Sequence, residues 1–186
     1  MRVFLALRLP EAVAKDLAAR AHAALGAHLD ELRLVPAANL HVTLHFLGVT
    51  GAEVLAGLPA EIERELAGHV PLDLAVRGTG GFPDGRAKRV LWAGVGGEPD
   101  ALARLGELAA ACRRAVAASG HALPEREEPF VPHVTIARSR AGLPAPRAWR
   151  ELALDLRWRA ERVELLESQQ VEGRTRYPSL SAHALG

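Results

Sequence analysis

Cysteine, lysine and long apolar runs are all scarce in this sequence of 186 residues. The single cysteine, Cys112, excludes an internal disulfide and a zinc site built from several cysteines. Its place on the apolar side of a predicted helix indicates a buried, inert thiol. No run of about 18 apolar residues marks a membrane span. Arg8 and Pro10 cut short the apolar start of the chain, unlike a signal peptide. We therefore expect a cytoplasmic protein with no membrane segment.

An excess of one charge is also missing, since the chain has 23 basic and 22 acidic residues and a net charge of +1. A general basic coat for duplex nucleic acid is thereby excluded, and any contact with nucleic acid must be local. The apolar fraction of 49% is ample for a packed interior. Because no linker divides the chain, we predict a single domain over residues 1–186. The sequence carries no signal for an oligomer, so we expect a monomer with no obligate protein partner.

Strand-like and helix-like segments follow one another irregularly. Alternating or β-rich segments predict strands near 2–9, 40–47, 70–78, 88–95, 132–137, 152–159, 161–169 and 176–185. Apolar spacing predicts helices from residue 11 to about 32, after a Thr50–Glu53 capping box, and over 99–119. Loops are predicted over the glycine-rich segment 78–85, over 121–132 and over 139–148. Without a parallel βαβ rhythm, this pattern favours an α+β fold with mainly antiparallel sheet.

One four-residue pattern occurs twice. His41-Val42-Thr43-Leu44 and His133-Val134-Thr135-Ile136 stand 92 positions apart, close to half the chain, and each lies on a predicted strand. Random placement would give only about 0.2 His-x-Thr pairs in such a composition. The repeat is what an internal duplication would leave, with one motif in each of two lobes.

The two-residue spacing between histidine and threonine determines what chemistry the motif can perform. Residues i and i+2 of a strand share a face, so each histidine projects beside its threonine. The alternate residues are expected to enter the apolar layer behind: Val42, Leu44, Phe46, Val134 and Ile136. If the two strands are neighbours, both imidazoles and both hydroxyls converge on one cleft. Because imidazole titrates near neutral pH, one ring can act as acid while the other acts as base. The hydroxyls can donate hydrogen bonds to phosphate oxygens.

The flanks of both motifs carry a family resemblance. Residues 39–48 (NLHVTLHFLG) and 130–138 (FVPHVTIAR) resemble the two motif blocks of the 2H phosphoesterase superfamily. More narrowly, they resemble those of the bacterial and archaeal 2′-5′ RNA ligase family. Residues 2–10 and 168–177 are also similar to that family, so the resemblance covers nearly the whole chain.

The resemblance implies two pseudo-symmetric lobes of mainly antiparallel sheet, with helices outside and the active-site cleft between the lobes. It implies a metal-independent RNA 2′,3′-cyclic phosphodiesterase without cofactors, acting on RNA ends or cyclic nucleotides to give a 2′-phosphomonoester. His41 would be the general acid for the departing 3′ oxygen, and His133 the general base that activates water. Thr43, Thr135 and Arg138 would hold the phosphate. In reverse, with a 5′-hydroxyl RNA end, the same pair could form a 2′-5′ linkage without ATP.

The faces on which Arg138 and His45 lie depend on the geometry of the strands that carry the motifs. Strict alternation places Arg138 on the face opposite His133, so it reaches the cleft only if the strand ends, twists or bulges near Ala137. The same rule places His45 on the face of His41, as a rim residue, a substrate contact or a neighbour that tunes its protonation.

Two other enzyme classes are weaker readings of these residues. An ATP-dependent ligase would need a nucleophilic lysine and a phosphate-binding loop, and neither Lys15 nor Lys88 stands in such a motif. A zinc hydrolase could use His41, His45 and His133, although no nearby acidic residue completes that set.

A noncatalytic module that binds an RNA end is the alternative from a different class. It would use the same threonines, with local cations drawn from Arg86, Lys88, Arg89, Arg174 and Arg176. Trp92 and Tyr177 could stack on a base, although a strand position makes Trp92 more typical of the core. Turnover of a cyclic phosphate separates this module from an enzyme.

Overall fold

The computed structural model describes residues 1–124 and 129–186, so the predicted loop over 121–132 lies partly outside the described residues. The helices are α1 (Glu11–Leu25), α2 (Ala52–Leu66), α3 (Pro99–Ala118) and α4 (Arg147–Arg150), with 3₁₀ turns at Gly26–His28 and Ala37–Asn39. The strands are β1 (Arg2–Arg8), β2 (Arg33–Leu34), β3 (His41–Val49), β4 (Leu72–Phe82), β5 (Lys88–Gly97), β6 (His133–Leu143), β7 (Leu156–Ala160), β8 (Arg162–Glu167), β9 (Gln169–Val171), β10 (Arg174–Arg176) and β11 (Ser179–Ala184).

Nine strands form one sheet in the order β11-β8-β1-β3-β6-β5-β4-β7, with β2 paired to β6. β9 and β10 form a separate hairpin. All pairings in the described part of the chain are antiparallel. Apart from β2, four strands lie on each side of the contact between β3 and β6, so two similar halves meet at the motif strands. The predicted α+β fold with mainly antiparallel sheet is confirmed.

The two faces of the sheet have different roles, as β1 illustrates. Val3, Leu5 and Leu7 are buried in the main core, which also takes apolar residues from all four helices. Phe4 and Ala6, on the other face, form a small separate cluster with Leu166 and Tyr177. Full burial of one large aliphatic side chain stabilises a fold by about 1.5–3 kcal/mol. The helix-covered face therefore holds the fold together and leaves the other face open for a site.

The predicted loop at 78–85 is wrong for its first part, because β4 continues through Gly80 and Gly81 to Phe82. A Cβ atom at Gly80 would stand 2.2 Å from the Trp92 ring. Glycine is needed here for the close approach of β4 to β5, and it does not mark a turn. The predicted loop over 139–148 is likewise shortened, since β6 runs on to Leu143, which pairs with Lys88.

Two helix predictions also need correction. α1 ends at Leu25 and gives way to a 3₁₀ turn, well before residue 32. The capping box at the start of α2 does not form, because the N-cap is Gly51 and the Thr50 hydroxyl donates to the Gly48 carbonyl at 3.3 Å. The backbone N–H of Thr50 donates to the Met1 carbonyl at 2.7 Å. Thr50 therefore belongs to the end of the sheet.

α3 follows its prediction closely. It spans Pro99–Ala118, and Cys112 lies fully buried on its inner side. The predicted burial of Cys112 is confirmed, and it raises the pKa of the thiol to about 12, as is typical of an unreactive cysteine. Among the described residues, no helix is long and apolar enough to cross a membrane.

Candidate active site

The two motif strands meet at one residue pair, Val42 with Val134, both fully buried. Counting outward in antiparallel register places His41 beside Thr135 and Thr43 beside His133, on the open face of the sheet. Diagonal neighbours such as the two histidines are then about 7–8 Å apart, with their Cβ atoms somewhat closer. This spacing leaves room for a phosphate between the imidazoles. The expected meeting of the two His-x-Thr pairs therefore occurs.

Each imidazole is oriented by the same kind of hydrogen bond. His41 Nδ1 donates to the Asn39 carbonyl and His133 Nδ1 donates to the Val131 carbonyl, both at 2.7 Å. Because a carbonyl can only accept, Nδ1 carries the hydrogen in both rings. Nε2 is then the atom that gives or takes a proton at a substrate.

Two aromatic rings pack against each histidine. The His41 ring lies 4.9 Å from that of Phe4 and 5.2 Å from that of Tyr177, which meets it edge-on. His133 has Phe82 edge-on at 5.2 Å and Trp92 at 6.1 Å. Trp92 is only partly buried, so its expected place in the core is wrong. These contacts restrict ring rotation and limit the access of water from the sides.

A β-bulge follows each motif at its fourth residue. β1 pairs Ala6 with Thr43 and Leu5 with His45, which leaves Leu44 as the extra residue. β5 pairs Trp92 with Thr135 and Leu91 with Ala137, which leaves Ile136 as the extra residue. A bulge resets the alternation of side chains beyond it.

The reset decides the positions of three residues. Arg138 turns to the face of His133, so the condition for it to reach the cleft is met. His45 pairs with Leu5, whose side chain lies in the main core, so strict alternation does not hold at His45. His45 nevertheless lines the same cavity as Thr43 and His133, as expected for a residue at the cleft. Phe46 was expected in the apolar layer but faces the cleft. It is 67% exposed and its ring lies 5.7 Å from that of Phe4.

The threonine hydroxyls of both motifs lie on the open face of the sheet. Thr43 and Thr135 are partly buried, and neither hydroxyl has a hydrogen-bond partner within residues 1–124 and 129–186. Both hydroxyls are therefore available to a ligand between the histidines.

Arg8 is a site residue that the sequence did not indicate. It lies opposite His41 in the β1–β3 register. Its guanidinium donates to Glu164 Oε2 at 3.2 Å, to the Ala38 carbonyl at 3.0 Å and to the Tyr177 carbonyl. It thus ties Tyr177 and the turn before His41 to a buried carboxylate. The sequence feature that could have indicated Arg8 is its position as an arginine at the end of an otherwise apolar strand.

The surroundings of His41 disfavour its charged form. Burial is the largest cause, and the charges of Arg8, His133 and Arg138 act in the same direction. They outweigh the hydrogen bond to Asn39, which raises the pKa, and the pKa of His41 falls to about 4. His41 is therefore neutral at pH 7 in the free protein.

Two cavities flank the histidine pair. One, of about 800 Å³, is lined by Thr43, His45, Phe46, Phe82 and His133 among others. The second, of about 710 Å³, is lined by Arg8, Asn39, Arg138, Arg174 and Tyr177 among others. The site is therefore open on an aromatic side and on a basic side.

A metal centre finds little support in the side-chain positions. In the described ranges, no three His, Cys, Asp or Glu side chains are grouped so that they could hold a metal ion. Within these ranges, His41, His45 and His133 do not come together as a zinc-binding set.

A family model described as the 2′-5′ RNA ligase superfamily matches residues 9–172, most of the chain and both motifs. The chain belongs to this superfamily. Among its relatives, a Thermus thermophilus protein named RNA 2′,3′-cyclic phosphodiesterase is 34% identical over 176 residues, covering 91% of this chain and 82% of the relative. A protein of the same name from Methanothermobacter thermautotrophicus is 32% identical over 138 residues, covering 74% and 71%.

Solved structures of similar proteins have the same fold. TT0787 of Thermus thermophilus superposes with a TM-score of 0.80 at 31% identity, covering 100% of this chain and 98% of that one. LigT of E. coli, solved in complex with 3′-AMP, gives a TM-score of 0.76 at 28% identity, with coverage of 99% and 97%. The superfamily fold thus extends over the whole chain.

Proposed function

We propose that this protein is an RNA 2′,3′-cyclic phosphodiesterase that hydrolyses a terminal cyclic phosphate to a 2′-phosphomonoester, without a metal ion. The observation that carries the proposal is the pair of histidines at one strand contact, each with Nδ1 bound to a carbonyl and Nε2 left for chemistry. The names of the relatives support this substrate class.

In the proposed reaction, the cyclic phosphate lies between the two imidazoles. His133 Nε2 takes a proton from a water molecule, whose oxygen attacks the phosphorus. The bond between phosphorus and the 3′ oxygen breaks, and His41 Nε2 gives its proton to that oxygen. The product carries a 2′-phosphate and a 3′-hydroxyl. One proton has moved onto His133 and one has left His41, so solvent exchange restores the starting state.

Thr43, Thr135 and Arg138 would stabilise the phosphate during the attack. Negative charge grows on the non-bridging oxygens, and preorganised donors aimed at them are stronger inside a partly dry site than in water. The hydroxyls supply two donors and the guanidinium supplies a charge-assisted contact. Arg8 is held by Glu164 and acts through position and charge at His41.

The role of general acid requires a protonated His41, although its pKa is about 4 in the free protein. A bound phosphate offsets the positive charges of Arg8, His133 and Arg138, and it stabilises the imidazolium directly. Substrate binding at neutral pH would thus bring a proton onto His41. Run in reverse with a 5′-hydroxyl RNA end, the same pair would form a 2′-5′ linkage without ATP.

The test is incubation of the protein with an RNA that ends in a 2′,3′-cyclic phosphate, in chelator and without ATP, followed by identification of the product. We expect a 2′-phosphate. A 3′-phosphate would keep the enzyme but overturn the assignment of the leaving oxygen. Tight binding without turnover, across several cyclic phosphates, would replace the enzyme with an RNA-end binding module. Turnover that chelator abolishes would refute the metal-independent mechanism.

A further inference from the structure

The basic cavity beside His41 has an unusual lining. It lies between the β9–β10 hairpin, the segment that carries β2, and the outer part of β6. Five arginines line it, Arg8, Arg33, Arg138, Arg174 and Arg176, and no aspartate or glutamate does. In a chain with almost equal numbers of acidic and basic residues, this is a strong local separation of charge.

Two of these arginines lie directly opposite each other, since β2 pairs Arg33 with Arg138. Like charges at opposed positions of an antiparallel pair repel each other and destabilise the pairing. In the described part of the chain, neither side chain forms an ion pair or a hydrogen bond, and the same holds for Arg174 and Arg176. Arginines on other surfaces are commonly paired, as Arg20 is with Asp16 and Arg147 with Glu151.

The cavity is continuous with the histidine site. Asn39 lines it and also holds His41 Nδ1 through its carbonyl. Tyr177 lines it and packs edge-on against the His41 ring. Arg138, on the face of His133, stands at the boundary between the cavity and the site. A molecule held between the histidines would therefore extend directly into this pocket.

We propose that the pocket binds the first internal phosphate of the RNA chain, on the 5′ side of the cyclic phosphate, through Arg33, Arg174 and Arg176. This inference rests on the proposed function. An RNA that ends in a cyclic phosphate continues only on its 5′ side, so its next anion is the phosphate of the preceding linkage. Guanidinium groups are suited to bidentate contacts with phosphate. The pocket would make an RNA end a better substrate than a cyclic mononucleotide.

The test compares kcat/KM for three substrates: a nucleoside 2′,3′-cyclic monophosphate, a dinucleotide that ends in a cyclic phosphate, and the same dinucleotide with an uncharged methylphosphonate linkage. For the natural protein, we expect the charged dinucleotide to be the best substrate, mainly through a lower KM. Arg33→Gln and Arg174→Gln should each reduce the ratio of kcat/KM for the charged over the uncharged dinucleotide by about tenfold. The KM for the charged dinucleotide should also depend less steeply on salt concentration in these variants, because one screened charge contact is lost.

Arg150→Gln is the matched control, because it removes one exposed arginine outside the pocket and changes the net charge equally. It should leave the ratio unchanged. If the natural protein cleaves all three substrates equally, or if the pocket variants lower all three equally, the proposed phosphate subsite is wrong while the phosphodiesterase stands. If none of the three is cleaved, the proposed function itself fails.

Discussion

The two halves of the molecule present the same motif in different surroundings. In both, a histidine binds a carbonyl two residues earlier, two aromatic rings pack against it, and a bulge follows at the fourth motif residue. However, His41 lies opposite Arg8 in its sheet register, whereas His133 lies opposite Gly94. Beyond the bulges, Phe46 in one half corresponds to Arg138 in the other. Nearly the same four-residue motif thus gives chemically different sites, since the neighbouring strands determine the charge around each ring.

This comparison matters because concerted catalysis needs two imidazoles in opposite protonation states. Sites that separate the proton affinities of two similar groups are typical of acid–base pairs. In the first half, burial and the charge of Arg8 lower the pKa of His41, so the protonation of His41 would depend on the charge of a bound substrate.

Replacement of either histidine should have the largest effect. His41→Ala and His133→Ala should each lower kcat by roughly 10²–10⁴-fold, because each removes a positioned acid or base. Affinity for substrate, measured by titration of the inactive variants, should change much less. Near-normal turnover in either variant would show that the two-histidine mechanism is wrong.

Replacement of Arg138, which corresponds to Phe46 in the other half, should have the next largest effect on activity. If Arg138 contacts the phosphate as proposed, Arg138→Gln should lower kcat/KM by about 10–100-fold, since it would remove a charged donor. Arg138→Lys should recover part of the loss. Arg140→Gln, an exposed arginine on the same strand, is the control and should have little effect. An equal loss in both Gln variants would mean that only general charge matters.

The pKa of His41 predicts that anion binding depends on pH. If a bound anion raises this pKa from about 4, binding takes up a proton between pH 4 and the pKa of the complex. Affinity should therefore rise as pH falls through that window, by up to about tenfold for each pH unit. Titration calorimetry with sulfate, whose own charge is constant there, measures both affinity and proton uptake. His41→Gln should remove the pH slope, and a slope that persists would place the proton elsewhere.

The smallest expected effect concerns stability of the first half. Glu164 is 5% exposed and bonded to both Arg8 and Arg162. Glu164→Gln should lower the free energy of unfolding by about 1–3 kcal/mol in urea titrations, because it weakens charged hydrogen bonds at a buried position. Asp73→Asn, which breaks the exposed pair with Arg159, should have no measurable effect. Equal effects would mean that burial of the Glu164 network contributes nothing.

Strong alternation predicted the motif strands and the shared face of each histidine and threonine, because that pattern is a local property of the sequence. The meeting of the two motifs depended on the strands being neighbours, which the family resemblance implied. The continuation of β4 through Gly80 could not be predicted from the sequence, because the need for glycine there arises from its packing against Trp92. The positions of His45 and Phe46 depend on a bulge, which is a property of two paired strands. Arg8 was missed because its partners, Ala38, Glu164 and Tyr177, are distant in sequence.

The bulges also explain why the repeated motif is four residues long. Leu44 and Ile136 are the extra residues of their pairings and are buried, at 5% and 2% exposure. They contribute no reactive group. Each one lengthens its strand by one position, so that the residue three places after the threonine returns to the threonine's face. The fourth residue of each motif therefore acts as a spacer. Deletion of that single residue would turn every later side chain of the strand to the opposite face.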